Sequence, residues 1–191
     1  MTCIVGLVHE GTVYVGGDSQ GTYGGTVVVP MDRGKVSRRG EFLLGSCGSG
    51  RVAALLRHAF EPPKLAAGKD LDAYMAGDFA SAMYELLSAH HALAKESETS
   101  RDCMGEGGAV LVGARGRLFL LDSYFCPSPV ADTYFAIGSG GDVALGVLYA
   151  LAEDDRYKPH TKVERAIQAA IKHVDGCGGP VTVLELPPER G

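Results

Sequence analysis

Thr2, directly behind Met1, puts a hydroxyl and, once the methionine is trimmed, a free α-amine on one residue. An α-amine with a reference pKa of about 7.7–8.0 is partly unprotonated at neutral pH, so it can take the hydroxyl proton as the oxygen attacks a carbonyl. While Met1 stays attached the amine is an amide and that base is lost; Thr2 also reads simply as a small, strand-favouring second residue. Asp18 comes 16 residues later, behind two glycines, where a carboxylate can hold a lysine or merely close a turn. Lys35 lies in an apolar-flanked Gly-Lys-Val. Beside the nucleophile it would lower the amine's pKa by like-charge repulsion and steady a developing alkoxide; elsewhere it is a solvated surface lysine.

Three glycine-rich stretches extend this set. "GSCGSG", residues 45–50, ends a strand just before a helix, and Gly48 there lets a backbone N–H approach a reacting oxygen, as an oxyanion hole requires. A phosphate cradle is the competing reading, but the Gly-Lys-Ser/Thr of a P-loop and the GxGxxG spacing are both missing. "GSGGD", residues 138–142, offers Ser139 either to catalysis or, with Asp142, to a capping box on the next helix. "VDGCGG", residues 174–179, puts Asp175 at a helix C-terminus, an electrostatically poor place for a carboxylate that lacks a partner.

The elements that must carry these residues follow from apolar patterning. Residues 3–8 and 12–16 are β-branched runs joined by His9-Glu10-Gly11, a hairpin signature. Further strands are predicted over 26–29 and 42–47, with a turn and an edge piece between them. A helix over 51–60 presents Val52, Leu55, Leu56 and Ala59 on one face and ends at Pro62-Pro63. A second helix over 78–96 presents Phe79, Met83, Leu86, Leu87 and His90. "GGAVLVGARGRLFLLDSYF" reads as a hairpin turning at Ala114-Arg115-Gly116, and "TYFAIGSGG" as a strand entering a bend. Helices over 142–152 and 161–174 and the strand "PVTVLEL" close the chain. Strands, two helices, strands, two helices, strand is an α+β order. Two sheets drawing strands from both chain ends and covered by two helix pairs would bury it in four layers, whereas a doubly wound parallel sheet alternates strand and helix singly.

Bulk properties narrow the function. The 191 residues fit one domain spanning 1–191, and the loosest stretch, "EPPKLAAGKD", is too short to divide it. Net charge is −5 with 18 scattered basic residues, which argues against a nucleic-acid or acidic-lipid partner. Five cysteines, Cys3, Cys47, Cys103, Cys126 and Cys177, form no CxxC and read as free thiols in a reducing compartment, so neither a zinc site nor another cofactor is expected. The start lacks a basic region followed by a long apolar stretch, and no segment reaches about 18 apolar residues. The cytoplasm is the expected location.

"TCIVGLVHEGTVYVGGDS" and "FAIGSGGDVALG", set in this order of strands and helices, resemble the threonine-nucleophile Ntn hydrolases of the proteasome β subunit and HslV peptidase family. The resemblance runs over nearly the whole chain. It implies an αββα sandwich and a threonine-type endopeptidase with a strand that begins at its nucleophile. By position it makes Thr2 the nucleophile with its own amine as base, Asp18 and Lys35 the supporting pair and Gly48 the oxyanion donor, with Ser139 and Asp175 around the amine. It also implies a substrate edge at Gly21, Thr22, Ser46 and Gly48, where an extended peptide adds as a strand. The implied partners are a peptide or unfolded protein, a homo-oligomeric ring and an AAA+ ATPase. Two departures stand out. Gly178 occupies the place of a serine found in many proteasome β subunits. The likeness also thins over 61–102, and "CGSGRVAALL" differs from the usual pattern after the oxyanion glycine. A stand-alone amidase of the same chemistry and a non-catalytic ring subunit are the rival readings.

Overall fold

The computed structural model describes residues 1–23, 27–30, 34–95 and 101–188. β1 (Ile4–His9) and β2 (Thr12–Gly17) form the expected hairpin. Its two turn residues, Glu10 (φ 48°) and Gly11 (φ 75°), have the paired positive φ values that match the twist of such a hairpin. β3 (Gln20–Tyr23) pairs with β4 (Val27–Pro30), and β5 (Val36–Arg39) with β6 (Phe42–Cys47). α1 (Gly50–His58) follows; then α2 (Leu71–Tyr74), a π-helical turn (Met75–Phe79) and α3 (Ala80–Ala89) run on without a break. β7 (Ala94–Lys95) and β8 (Asp102–Cys103) make a short ribbon. β9 (Ala109–Ala114), β10 (Arg117–Leu121), β11 (Pro127–Pro129) and β12 (Tyr134–Ile137) lead to α4 (Gly141–Leu151), α5 (Pro159–His173) and β13 (Thr182–Leu186).

Two sheets lie at the centre. One has the order β12-β1-β2-β13, uniting strands from both chain ends, and the other β11-β10-β9-β6-β5. Their facing sides bury Ile4, Val13, Val15, Leu43, Leu111 and Leu118. Close approach of the sheets depends on glycine. A Cβ on Gly45 would lie 2.3 Å from the Ile4 side chain, and one on Gly113 2.5 Å from that of Val13. α4 and α5 cover the first sheet through Ala144, Leu148, Val163 and Ile167. α1 and the α2–α3 run cover the second through Val52, Leu56, Tyr74, Phe79 and Met83. The result is the predicted four-layer αββα sandwich. Each large apolar side chain so buried contributes roughly 1.5–3 kcal/mol, and three such layers of contact hold the four together.

Several expectations need correction. The helix read over 78–96 begins at Leu71, where the Asp70 carboxylate accepts from Ala73 N at 2.7 Å, and ends at Ala89. His91 (φ 51°) takes the chain out of helix and into β7, and position 96 lies outside the described residues. His90 is exposed, so the stripe ends at Leu87. Ala59 is exposed too; Phe60, one residue past it, fills the core position. The strand expected over 26–29 appears as β4, with Thr26 outside the described residues. All five cysteines are free, and four are buried.

Candidate active site

Backbone pairing gathers the chemistry-bearing residues before any side chain acts. Asp18 N donates to Cys3 O at 3.1 Å, Lys35 N to Asp18 O at 3.2 Å, and Ser46 N to Lys35 O at 3.3 Å. The start of β1, the end of β2, the approach to β5 and the end of β6 therefore lie side by side at one end of the two sheets. Residues 2, 18, 35 and 46 become neighbours because strand pairing is continuous there, despite their separation in sequence.

The Asp18 side chain is fully buried and the Lys35 side chain nearly so, so the surface-lysine and open-turn readings do not hold. Lys35 Nζ lies 2.8 and 2.9 Å from the two Asp18 carboxylate oxygens. Cys3 N donates to Oδ1 at 2.9 Å, while Gln20 N and Gly178 N donate to Oδ2 at 3.2 Å each. A buried ion pair is tolerable only with such saturation of its remaining lone pairs. The same ammonium donates to the Met1 carbonyl oxygen at 2.7 Å, and the Thr2 hydroxyl donates to that oxygen at 2.6 Å. Nucleophile candidate, ammonium and a carbonyl thus converge on one point.

Thr2 is gripped from its other side by the turn between β12 and α4. Thr2 N donates to Ser139 Oγ at 3.1 Å, Ser139 Oγ in turn donates to Thr2 O at 3.4 Å, and Gly140 N donates to Thr2 O at 3.0 Å. The capping box read from Ser139 and Asp142 is not formed: Gly140 is the N-cap of α4 and no side chain caps it. Ser139 serves Thr2 instead. Gly138 adopts φ 86°, and a Cβ there would come within 2.4 Å of the Thr2 carbonyl oxygen. That position requires glycine.

Gly48 adopts φ 92° between β6 and α1, and a Cβ on it would lie 2.8 Å from Gly108 Cα. Together with Thr2, Lys35, Gly21, Thr22, Ser46 and Gln20 it lines a cleft of about 320 Å³, extended by Ala53, Ala54 and Arg57 of α1. Every substrate-edge residue expected from the sequence lines this one cleft. Arg57 Nη2 donates to the carbonyl of Gly34 and so braces the segment that carries Lys35.

Asp175 is placed differently from the expectation. It is exposed, and no hydrogen bond joins it to Thr2 among the described residues. What reaches the site from its loop is the Gly178 N–H and the buried Cys177. Burial, with Asp18 nearby, pushes the Cys177 thiol up, and burial pushes that of Cys3 up to about 12. Both are neutral thiols at pH 7 and poor rivals to a hydroxyl nucleophile. Gln20, Gly138 and Arg57 had not stood out in the sequence. The "GGDSQ" run could have pointed to Gln20, because a residue two past a buried carboxylate can return its own N–H to it.

No protein-family model matches the chain. An ATP-dependent protease subunit HslV from Brevibacillus brevis is 31% identical over 173 residues, which covers 90% of this chain and 86% of that protein. The chain belongs to the HslV family. It is accordingly a protease subunit with the threonine-type endopeptidase character of that family. A second HslV, from Caldicellulosiruptor saccharolyticus, is 26% identical over 97% of the chain and 98% of its own length. Among solved structures, Thiobacillus denitrificans BPH in complex with epoxomicin superposes with a TM-score of 0.80 at 20% identity, covering 98% of this chain and 100% of that one. Eukaryotic HslV from Trypanosoma brucei gives 0.67 at 21% identity, covering 97% and 99%. These structural likenesses support the four-layer fold seen in the HslV-family chain.

Proposed function

We propose that Thr2, freed of Met1, is the nucleophile of peptide hydrolysis and that its own α-amine is the general base. The observation that carries this reading is the convergence of the Thr2 hydroxyl and the Lys35 ammonium on one carbonyl oxygen, at 2.6 and 2.7 Å. The Met1 carbonyl marks where an amide can be held against both groups. With the amine free, it takes the hydroxyl proton while Oγ1 bonds to the substrate carbonyl carbon. The resulting oxyanion is met by the Gly48 N–H, and the amine returns the proton to the leaving nitrogen. An ester on Thr2 remains, and water activated by the same amine hydrolyses it. Lys35, fixed by Asp18, lowers the amine's proton affinity and keeps positive charge near the developing alkoxide. Ser139 holds the amine nitrogen in place. Asp175, exposed on the 174–179 loop, takes the lesser role of biasing the field around it.

Gly21 and Thr22 of β3 and Ser46 and Gly48 at the end of β6 flank the cleft, and an extended peptide adds between them as a strand. The substrate is a peptide or an unfolded protein. The chain works as one domain in a homo-oligomeric ring in the cytoplasm with an AAA+ ATPase partner, in keeping with the relatives named ATP-dependent protease subunits. Among the described residues, no helix is long and apolar enough to cross a membrane. Hydrolysis of a fluorogenic peptide by wild type and Thr2→Ala tests the assignment. Turnover should fall by roughly 10⁴-fold or more in the variant with the fold intact; equal turnover rules Thr2 out.

A further inference from the structure

The Asp18 carboxylate accepts from Cys3 N and Lys35 Nζ, and its Oδ2 is closed off by two further N–H groups from separate segments. Gln20 N, opening β3, and Gly178 N, in the loop before β13, both reach Oδ2 at 3.2 Å. Those segments are joined by the Ser19 N–H, which donates to Gly178 O at 2.8 Å, and the Gln20 side chain packs against Gly178 beside that bond. A Cβ on Gly178 would lie 2.1 Å from Gln20 Oε1, 2.9 Å from Cδ and 3.0 Å from Cβ, so the glutamine lies along residue 178 and fills the room that any side chain there would need. Its far end turns into the cleft, where Nε2 donates to Thr22 Oγ1 at 3.5 Å. Gln20 is half-buried and lines the cleft beside Thr2, yet none of its hydrogen bonds goes to Thr2. Its leverage therefore passes through Asp18.

We propose that Gln20 is a positioning residue for the reaction: seated on Gly178, its side chain shuts water away from the Asp18 carboxylate and so fixes the Lys35 ammonium against the reacting carbonyl. This rests on the site reading above, in which Lys35 acts on Thr2. A carboxylate held by backbone N–H groups in a dry setting pins its counter-ion, whereas water at the same place screens the pair and loosens it. The glycine at 178 and the glutamine at 20 are then two halves of one fitting. A side chain at 178 displaces the glutamine, and a short side chain at 20 opens the same gap.

The test is a double-mutant cycle of Gln20→Ala and Gly178→Ala, with peptide hydrolysis followed across pH and with the rate of modification by a peptide epoxyketone. Each single variant should lower kcat about tenfold and leave KM within about twofold. The double variant should resemble the singles rather than multiply them to a hundredfold loss. The acid limb of the kcat profile should move to higher pH, because a looser Lys35 ammonium depresses the Thr2 amine less. The other titratable groups around that amine are Asp18, the Cys3, Cys47 and Cys177 thiols, and Arg57 and His58 along the same cleft, with Asp175 exposed on the neighbouring loop, and neither substitution replaces any of them. Thermal unfolding shows which variants are folded, and Gly178→Ala carries the test if Gln20→Ala does not fold. A raised KM with unchanged kcat and an unmoved acid limb would make Gln20 a substrate contact and overturn the proposal, as would losses that multiply. A wild-type protein inert to both peptide and epoxyketone contradicts the site reading itself. A reactive wild type with an unaltered Gln20→Ala contradicts only the role of Gln20.

Discussion

At the residue scale the decisive arrangement is a buried lysine shared between a carboxylate and a carbonyl. Lys35→Ala should lower peptide turnover by roughly 10²-fold or more, since it removes a charge aimed at the transition state. Lys35→Arg should not restore it, because a planar fork cannot take the place of a compact ammonium held against both oxygens of the buried Asp18. Steady-state kinetics of both variants check this, and near-normal turnover in Lys35→Ala would return that residue to an ordinary structural role. Asp18→Asn leaves the ammonium buried without its counter-charge. Breaking such a pair costs about 3–5 kcal/mol, which should appear as a clear drop in Tm along with lost activity. Thr2, Asp18, Lys35 and Gly48 were singled out by the resemblance, since each taken alone has an ordinary structural reading, and the structure brings all four to one cleft, with Asp18 beneath Lys35. Gln20 was not, since its part depends on the absence of a side chain 158 residues away at Gly178.

At the scale of elements, the hairpins and the C-terminal helices could be read directly. β1–β2 and β9–β10 turn through Glu10-Gly11 and Arg115-Gly116, and all four residues have positive φ. α5 begins at Pro159, which suits a first helical position, and ends with Lys172 and His173 against its negative pole. Three kinds of element were hidden. Among the described residues β3 is a four-residue strand whose one strand partner is β4, β11 pairs as a strand with β10 alone, and the start of the α2–α3 run is set by a cap on Asp70 inside a stretch that looks like a linker. Local composition says little where pairing or a single cap decides. The β12–α4 turn is the element most tightly coupled to the chemistry. Gly138→Ala should lower turnover by about 10²-fold, the usual effect of moving a reacting group by about 1 Å, because its methyl group meets the Thr2 carbonyl. The positive φ adds about 1–2 kcal/mol of strain. Kinetics and thermal unfolding of this variant separate the two effects.

On the scale of the whole molecule, burial partitions the cysteines. Thiolate is the reactive form, so a thiol pushed up to about 12, as for Cys3, leaves about one part in 10⁴ ionised at pH 8. Cys47 and Cys177 are pushed up by burial as well, and Cys103 is buried, while Cys126 is exposed. An aromatic disulfide reagent should therefore titrate one thiol per native chain rapidly and all five only after denaturation; several fast thiols in the native protein would contradict the packing. The proposed ring predicts a single large species in sedimentation at micromolar concentration, and a fully active monomer would move the reading to a stand-alone amidase. The account as a whole depends on a free amine and hydroxyl on Thr2. Intact mass before and after treatment with a peptide epoxyketone tests that most directly. The account predicts an active protein lighter than the full sequence by one methionine residue, gaining a single adduct per chain that Thr2→Ala does not gain. An active protein that retains Met1, or an adduct that persists in Thr2→Ala, would contradict it.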